Sequence, residues 1–407
     1  MAAKFGSESI LVQRRPDYLT GEMRSPAPAG HNEVKEHWVP MNAHGSFPRW
    51  TKRAAGIATI MAVAIGLSAC SSAADDNKPA AGGEKGDVLL VQGIRSLSNS
   101  YHANWAAGGD LFGESVDKKV IVLSDEADSQ KQLSLVKGLA AKGQVYALNI
   151  DPNTSSDTEA IVRAVTEAGG YVVTQWNKPD DLNPWDIGDH WVAHIAFDGT
   201  GIGKDVSQTL FDSMGGEGGI IALQGILDNK PAKQRFAGLQ EALKANPGIT
   251  LLDDQTANWS RTEALSVTQT LLAKHGDKVK GVWAANDEMA LGALEALKAA
   301  GMAGKVPIIG FDAVPQALDE IKSGTNKYVA TVSTDPWWQG GAALSLAYKA
   351  ATGEIDVSKL SHDQRAFYAE QSIVTKDNVE KFTQAPTLEA LKPDLDDPFK
   401  RFSAPIN

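Results

Sequence analysis

The chain has 407 residues, 43% of them hydrophobic and 22% charged, enough to bury two cores without disulfide or metal support. Net charge is −11; residues 1–69 carry 8 Lys/Arg and 5 Asp/Glu, which leaves 31 and 45 for the rest, a net of −14. An acidic body argues against nucleic acid as a partner, because phosphate backbones are gripped by basic surfaces, and it suits an uncharged ligand.

Residues 1–40 are polar, carry Pro16, Pro26, Pro28 and Pro40, and show no clean periodicity. They read as an upstream extension or a leader, with Met41 well placed to be the true start of the chain. Arg49, Lys52 and Arg53 form a cationic patch before an apolar run from Ala54 to Leu67. That run is too short to span a bilayer comfortably, and charge, short apolar core and small residues together make a secretory signal. Cys70 is the single cysteine, so it is a free thiol or a modified residue. Leu67-Ser68-Ala69-Cys70 resembles the lipobox of bacterial lipoproteins, which implies an acylated Cys70 at a new N-terminus; a buried helix with an incidental cysteine is the plainer alternative. Residues 70–86 are small, polar and Gly/Pro-containing, the composition of a flexible tether.

From Asp87 onward, apolar runs recur at the length of a βα unit: Val88–Gln92, Val120–Leu123, Val145–Ile150, Tyr171–Gln175, Val192–Phe197, Ile220–Gln224, Gly281–Ala285, Val306–Phe311 and Val329–Ser333. Helical stripes lie between them, over Ala232–Ala245, Glu263–Ala273 and Glu288–Ala300. Continuously apolar strands belong to parallel sheets covered on both faces, so the expected fold is α/β, with two doubly wound lobes. Such sheets bind ligands at the carboxyl ends of their strands. The residues just past those ends are Asn99, Tyr101 and His102; Asp151 and Asn153; Trp176 and Asn177; Asp228, Asn229 and Arg235; Trp259; Asn286 and Asp287; Asp312; and Thr334, Asp335, Trp337 and Trp338.

Asn286-Asp287-Glu288-Met289-Ala290-Leu291-Gly292 closely resembles the ribose-binding-protein family of periplasmic sugar receptors. So do Gly310-Phe311-Asp312, Leu223-Gln224-Gly225, Ala232-Lys233-Gln234-Arg235-Phe236-Ala237-Gly238, His194-Ile195-Ala196 with Asp198, and Ala330-Thr331-Val332 with Pro336. The resemblance runs from about Asp87 to about Thr352. It implies two lobes joined by a three-strand hinge, the type I periplasmic binding protein architecture. The expected division is 87–196 plus 335–365 for one lobe, 197–334 plus 366–385 for the other, and a tail over 386–407 that wraps the surface. Carried over by position, the ligand contacts fall on Asn99, Tyr101, His102, Asp151, Trp176, Asn177, Arg235, Trp259, Asn286, Asp312 and Thr334. Their chemistry agrees: Asp accepts from a hydroxyl, Arg donates through a planar fork, Asn does both, and aromatic faces stack on sugar C–H faces.

Each of these residues has a blander reading. An Asp after a strand is often a helix cap, Arg235 fits a surface arginine, and Trp176 and Trp259 fit core packing. His102 divides evenly between a contact and a plain polar group. Trp185 and Trp191 are weaker candidates, and Asp287 reads as the N-cap before Glu288 rather than a contact. The chain also departs from the ribose pattern: Trp176-Asn177 stand where many relatives have Asp-Arg, Thr334 replaces a hinge glutamine, and Tyr101-His102 replace paired phenylalanines. The insertion Asn177–Asp189 lengthens the cleft rim. These changes point away from ribopyranose and toward another pentose or hexose, or an open-chain polyol.

The resemblance thus implies the solute-binding component of an ABC importer. It would capture a small neutral sugar or sugar alcohol, deliver it to a membrane permease, and act as a monomer held outside the cell by a lipid anchor. A receptor presenting its ligand to a sensor or chemotaxis partner shares the same binding physics. A sugar-responsive repressor would need a basic helix-turn-helix where the signal and tether stand. No nucleophile elbow, phosphate loop or Cys/His metal spacing points to an enzyme, a cofactor or a metal.

Overall fold

The computed structural model describes residues 87–406; the leader, the apolar run, Cys70 and the tether lie outside them. In chain order the first elements are β1 (Leu89–Ile94), α1 (Ser100–Ser115), β2 (Val120–Ser124), α2 (Ser129–Ala140), β3 (Tyr146–Ile150), α3 (Thr158–Glu167), β4 (Tyr171–Gln175), α4 (Pro184–Ile187) and β5 (Trp191–Ala196). Next come α5 (Gly199–Ser213), β6 (Gly218–Gln224), α6 (Lys230–Ala245), β7 (Ile249–Thr256), α7 (Arg261–His275), β8 (Val279–Ala284), α8 (Asp287–Ala299), β9 (Ile308–Ile309), α9 (Pro315–Ser323) and β10 (Tyr328–Ser333). The last are α10 (Pro336–Ala351), α11 (His362–Arg365), β11 (Ala366–Ala369), β12 (Ser372–Thr375), α12 (Leu388–Asp396) and β13 (Phe402–Pro405).

Two sheets result, one of order β13-β11-β5-β4-β3-β1-β2 and one of order β12-β10-β9-β8-β6-β7. All pairings are parallel except β11 with β13 and β10 with β12, so each lobe is a doubly wound parallel sheet with one antiparallel edge. The inner strands are mostly Val, Ile, Leu and Ala at near-zero exposure, as expected for sheets covered on both faces, while the edge strands β2 and β7 are largely half-buried. The chain passes between the lobes four times: after β5, after β10, at Glu370–Gln371 between β11 and β12, and between β12 and α12, where it returns to the first lobe.

The division differs from the expected one in its C-terminal part. Ala366–Ala369 belongs to the first sheet, in register with His194–Ala196, and only β12 joins the second. Residues 386–406 do not simply wrap the surface. Leu391 and Leu395 of α12 are buried, and the Ser345 hydroxyl of α10 donates to the Leu395 carbonyl at 2.7 Å. Phe402 of β13 packs on Phe367, with ring centroids 5.6 Å apart. The prolines that made this stretch look irregular flank α12, sit within it at Pro393, or lie on the outer edge strand, where a missing N–H is tolerated. Arg401 donates to Asp394 at 2.7 Å and to Asp335 at 2.7 Å, so the C-terminal segment is pinned to the second crossover.

The first lobe is tied inside by carboxamides. Gln92, Asn149 and Gln175 stand on the adjacent strands β1, β3 and β4, and hydrogen-bond to one another and to the Gln339 and Gly340 carbonyls of α10. The N terminus of α10 crosses α1 where glycines face backbone: a Cβ at Gly108 would overlap the Trp337 carbonyl, and one at Gly340 the Trp105 carbonyl.

Candidate functional site

The cleft between the lobes encloses a cavity of about 690 Å³, within the range of small-molecule sites. Ten of the eleven residues expected to contact ligand line it: Asn99, Tyr101, His102, Asp151, Trp176 and Asn177 from the first lobe, and Arg235, Trp259, Asn286 and Asp312 from the second. Thr334 does not. It lies behind Tyr101, its hydroxyl accepting from Gln339 Nε2 at 3.0 Å, while Tyr101 donates to Gln339 Oε1 at 2.7 Å. Trp185 and Trp191 are also elsewhere: Trp185 stacks on His362, and Trp191 is buried in β5 and donates to Thr174.

The chain is bent to bring these side chains together. Trp176 (φ 64°), Asn258 (φ 49°), Trp259 (φ 65°), Asp312 (φ 113°) and Ala313 (φ 53°) hold left-handed backbone, which costs on the order of 1–3 kcal/mol per residue and gathers at functional sites. Gly225 has no Cβ because the Trp259 ring occupies that space. The Asp312 turn is held from below by Asp287, which is the first residue of α8 and not its cap; Asn286 is the N-cap, accepting from Met289 N at 2.9 Å. Asp287 reaches down instead of back along the helix. It accepts from Tyr328 Oη at 2.6 Å, Thr331 Oγ1 at 2.8 Å and Val314 N at 2.9 Å.

Complete burial pushes the Asp287 carboxyl up to about 7, although these three donors pull it down. Burial likewise raises Asp312 well above the usual range, against the pull of Arg235. A carboxyl whose folded pKa is raised holds its proton more tightly than the unfolded chain does. Its contribution is therefore present at low pH and lost as pH rises from about 4, where the unfolded group titrates, toward 7. Asp287→Asn removes that titration. The stability difference between wild type and this variant, followed by urea denaturation across this window, is expected to fall steadily with rising pH in wild type's disfavour. A flat difference would refute the assignment.

Polar capacity divides the site into used and unused groups. Asp151 accepts from Arg95 at 2.5 Å and from Asn177 Nδ2 at 3.1 Å. Every hydrogen-bonding position of the Asn177 amide is taken, by Asp151, Pro152, Asn229 and Lys230. Tyr101 Oη is occupied by Gln339 and by Trp176 Nε1, so these two aromatics offer ring faces. In contrast, both His102 ring nitrogens are buried without a hydrogen-bond partner. Burial lowers the His102 pKa, so the ring is neutral at pH 7 and holds one donor and one acceptor. Among the described residues, the Arg235 guanidinium makes one hydrogen bond, to the Ala285 carbonyl at 2.7 Å, and the Asp312 carboxylate lies 3.7 Å away. The guanidinium sits 4.5 Å from the Phe311 ring centre, 5.2 Å from Trp176 and 5.8 Å from Trp259.

Four charged residues of the cleft fall outside the contacts expected from sequence: Arg95, Glu126, Arg261 and Glu288. Arg261 pairs with Glu288 at 2.8 Å, which with Arg235–Asp312 and Arg95–Asp151 makes three cation–carboxylate pairs; Glu126 lines the cleft outside those pairs. Arg95 stands directly after β1, at the carboxyl end of the strand, the position from which open parallel sheets contact their ligands. Asn229, a loop residue past β6 that is not among the expected contacts, also lines the cleft. Among the described residues no group of His, Cys, Asp or Glu is placed to hold a metal, and no helix is long and apolar enough to cross a membrane.

A two-lobed α/β architecture with a polar, aromatic-walled interlobe cleft defines a class of binding proteins, and a profile described as the periplasmic binding protein domain matches residues 94–355; the chain belongs to that family. Within it, the chain is of the ribose-binding type of sugar-binding proteins. It is 31% identical over 302 residues to a ribose import binding protein of Haemophilus influenzae, covering 74% of this chain and 95% of that one. It is 29% identical over 310 residues to a xylitol-binding protein of Mycolicibacterium smegmatis, covering 75% and 82%. The crystal structure of a twin-arginine translocation pathway signal protein from Burkholderia phytofirmans superposes with a TM-score of 0.74 at 42% identity, covering 79% of this chain and 98% of that one.

Proposed function

We propose that the protein is the solute-binding component of an ABC importer, capturing a small neutral sugar or sugar alcohol in the interlobe cleft and delivering it to a membrane permease. The observation that carries this reading is the unspent hydrogen-bonding capacity of His102, Arg235 and Asp312 inside a cavity where Arg95 pairs with Asp151 and Arg261 with Glu288. Hydroxyls both donate and accept and so match a neutral imidazole, a guanidinium and a carboxylate together. Similarity to import and polyol-binding proteins supports the same class. No catalytic step is assigned to the cleft.

A thermal-shift screen of sugars and polyols tests the reading. Ligand at ~100 times its dissociation constant stabilises by about 2.7 kcal/mol. A response to amino acids or peptides alone would refute the substrate class. Contacts come from both lobes, so a bound ligand draws them together, and the closed form is the one a permease reads. Small-angle scattering with the ligand found is expected to give a smaller radius of gyration than without it; an unchanged radius would leave a static binding module.

Anchoring is part of the proposal. Acylation of Cys70 places the protein as a monomer on the outer face of the cytoplasmic membrane, and stable attachment takes more than one acyl chain. Cys70→Ala is expected to release the protein into the soluble fraction or leave it unprocessed. Mass spectrometry showing an intact Ala69–Cys70 bond without lipid in the exported protein would rule the anchor out.

A further inference from the structure

Two asparagine side chains cross the mouth of the cleft, and we propose that they form a closure latch that sets affinity without touching the ligand. The proposal rests on the reading of this cleft as the binding site and concerns how that site is regulated. Asn229 occupies the N-cap position of α6 but makes no capping bond to its own helix. Its Oδ1 accepts from Trp259 Nε1 at 2.6 Å, and its Nδ2 donates across the cleft to the Asn153 carbonyl at 2.5 Å. Asn177 of the first lobe supplies the missing cap: its Oδ1 accepts from the N–H of Lys230, the first residue of α6, at 3.0 Å. Its Nδ2 donates to Asp151 Oδ1 at 3.1 Å and to the Pro152 carbonyl at 2.9 Å.

Both amides have only one possible orientation. The Trp259 indole and the Lys230 N–H can only donate, and the Asn153 and Pro152 carbonyls can only accept. Both asparagines are fully buried, so each bond left unmade in a closed mouth would carry a desolvation cost. Opening the lobes removes the α6 cap and frees Asn229 Nδ2, and both groups then return to water. The far ends of the latch are cleft walls, Asp151 at one end and Trp259 at the other. Seating a ligand against those walls and forming the latch are therefore one event. The free energy of closing enters the affinity of every ligand equally, so a change in the latch multiplies all dissociation constants by a common factor.

Asn229→Asp in the full chain separates this role from ligand contact. The carboxylate keeps the acceptor for Trp259 but faces the Asn153 carbonyl with no proton to donate. With D-ribose, xylitol and myo-inositol as probes, each one that binds wild type is expected to weaken by the same factor, on the order of tenfold or more, through faster dissociation. Much of the loss is expected to disappear at acid pH, where the introduced carboxyl is protonated and donates again. Asn177→Ala is expected to impose a common factor of its own. Unchanged affinity in Asn229→Asp, or losses that differ from probe to probe, would overturn the latch. If no probe binds wild type, the polyol reading fails and the latch is judged without ligand. For that measurement the full chain carries Cys70→Ser, Ser156→Cys and Asp228→Cys, oxidised across the lips where Ser156 Oγ lies 3.3 Å from Asp228 Oδ2. Its Lys230 amide is expected to exchange slowly, and to exchange fast once Asn177→Ala is added; equal exchange in the two overturns the proposal.

Discussion

Arg235→Ala is expected to lower ligand affinity by about 2–4 kcal/mol, since truncating a buried charged contact leaves its partner desolvated and unpaired. The guanidinium is buried, lies 3.7 Å from Asp312 and packs against three aromatic rings, so removal empties the centre of the cleft. Asp312→Ala is expected to fall in the same range. Arg235→Lys keeps the charge but not the planar fork or its stacking, and is expected to recover only part of the loss. Titration calorimetry with the ligand returned by screening measures all three. Wild-type affinity in both alanine variants would mean that this cleft is not the binding site.

Gly340→Ala is expected to cost about 3 kcal/mol of stability, at the upper end for overpacking, because the added methyl meets backbone that no rotamer can move aside. That methyl would overlap the Trp105 carbonyl at the crossing of α1 and α10, beside the Gln92 and Asn149 bonds to the Gly340 carbonyl. The same substitution at Gly138 in α2, where a Cβ meets nothing, is expected to act in the opposite direction, by about 1 kcal/mol of improved helix propensity. Urea midpoints of the two variants thus move to opposite sides of wild type. A Gly340→Ala protein as stable as wild type would show that the two helices separate freely.

The alternation of strands and helices was legible because a sheet buried on both faces needs uninterrupted Val, Ile and Leu. All nine apolar runs became strands, with ends shifted by a few residues. What escaped was structure that does not obey that need. β7 carries Asp253, Asp254 and Gln255 on a sheet edge, and β11, β12 and β13 are four residues each. The cleft residues were legible for a similar reason: open parallel sheets deliver the residues past their strand ends to one place. Their individual roles were not, because a role depends on the neighbour across space. Asn177 resembles a ligand contact until Lys230 of the other lobe occupies its oxygen, and Asp287 resembles a cap until Tyr328 and Thr331 come up beneath it. Thr334 follows a strand like the others, but Gln339 and Tyr101 stand between it and the cavity.

The strand membership of the two sheets also sets an order of assembly. The second sheet draws on residues 218–333 and is finished by Thr375, largely from one continuous stretch of chain. The first draws β1 from Leu89 and its closing edge from Pro405, with α10 and α12 between. A chain that emerges from its N-terminus onward makes the strands of the first lobe first and completes that lobe last. Until β13 arrives, β11 presents an unpaired edge, the kind of surface on which neighbouring chains associate. The C-terminal segment is thus the piece for which half the protein waits, and its arrival ends the interval in which the nascent molecule is most open to mispairing.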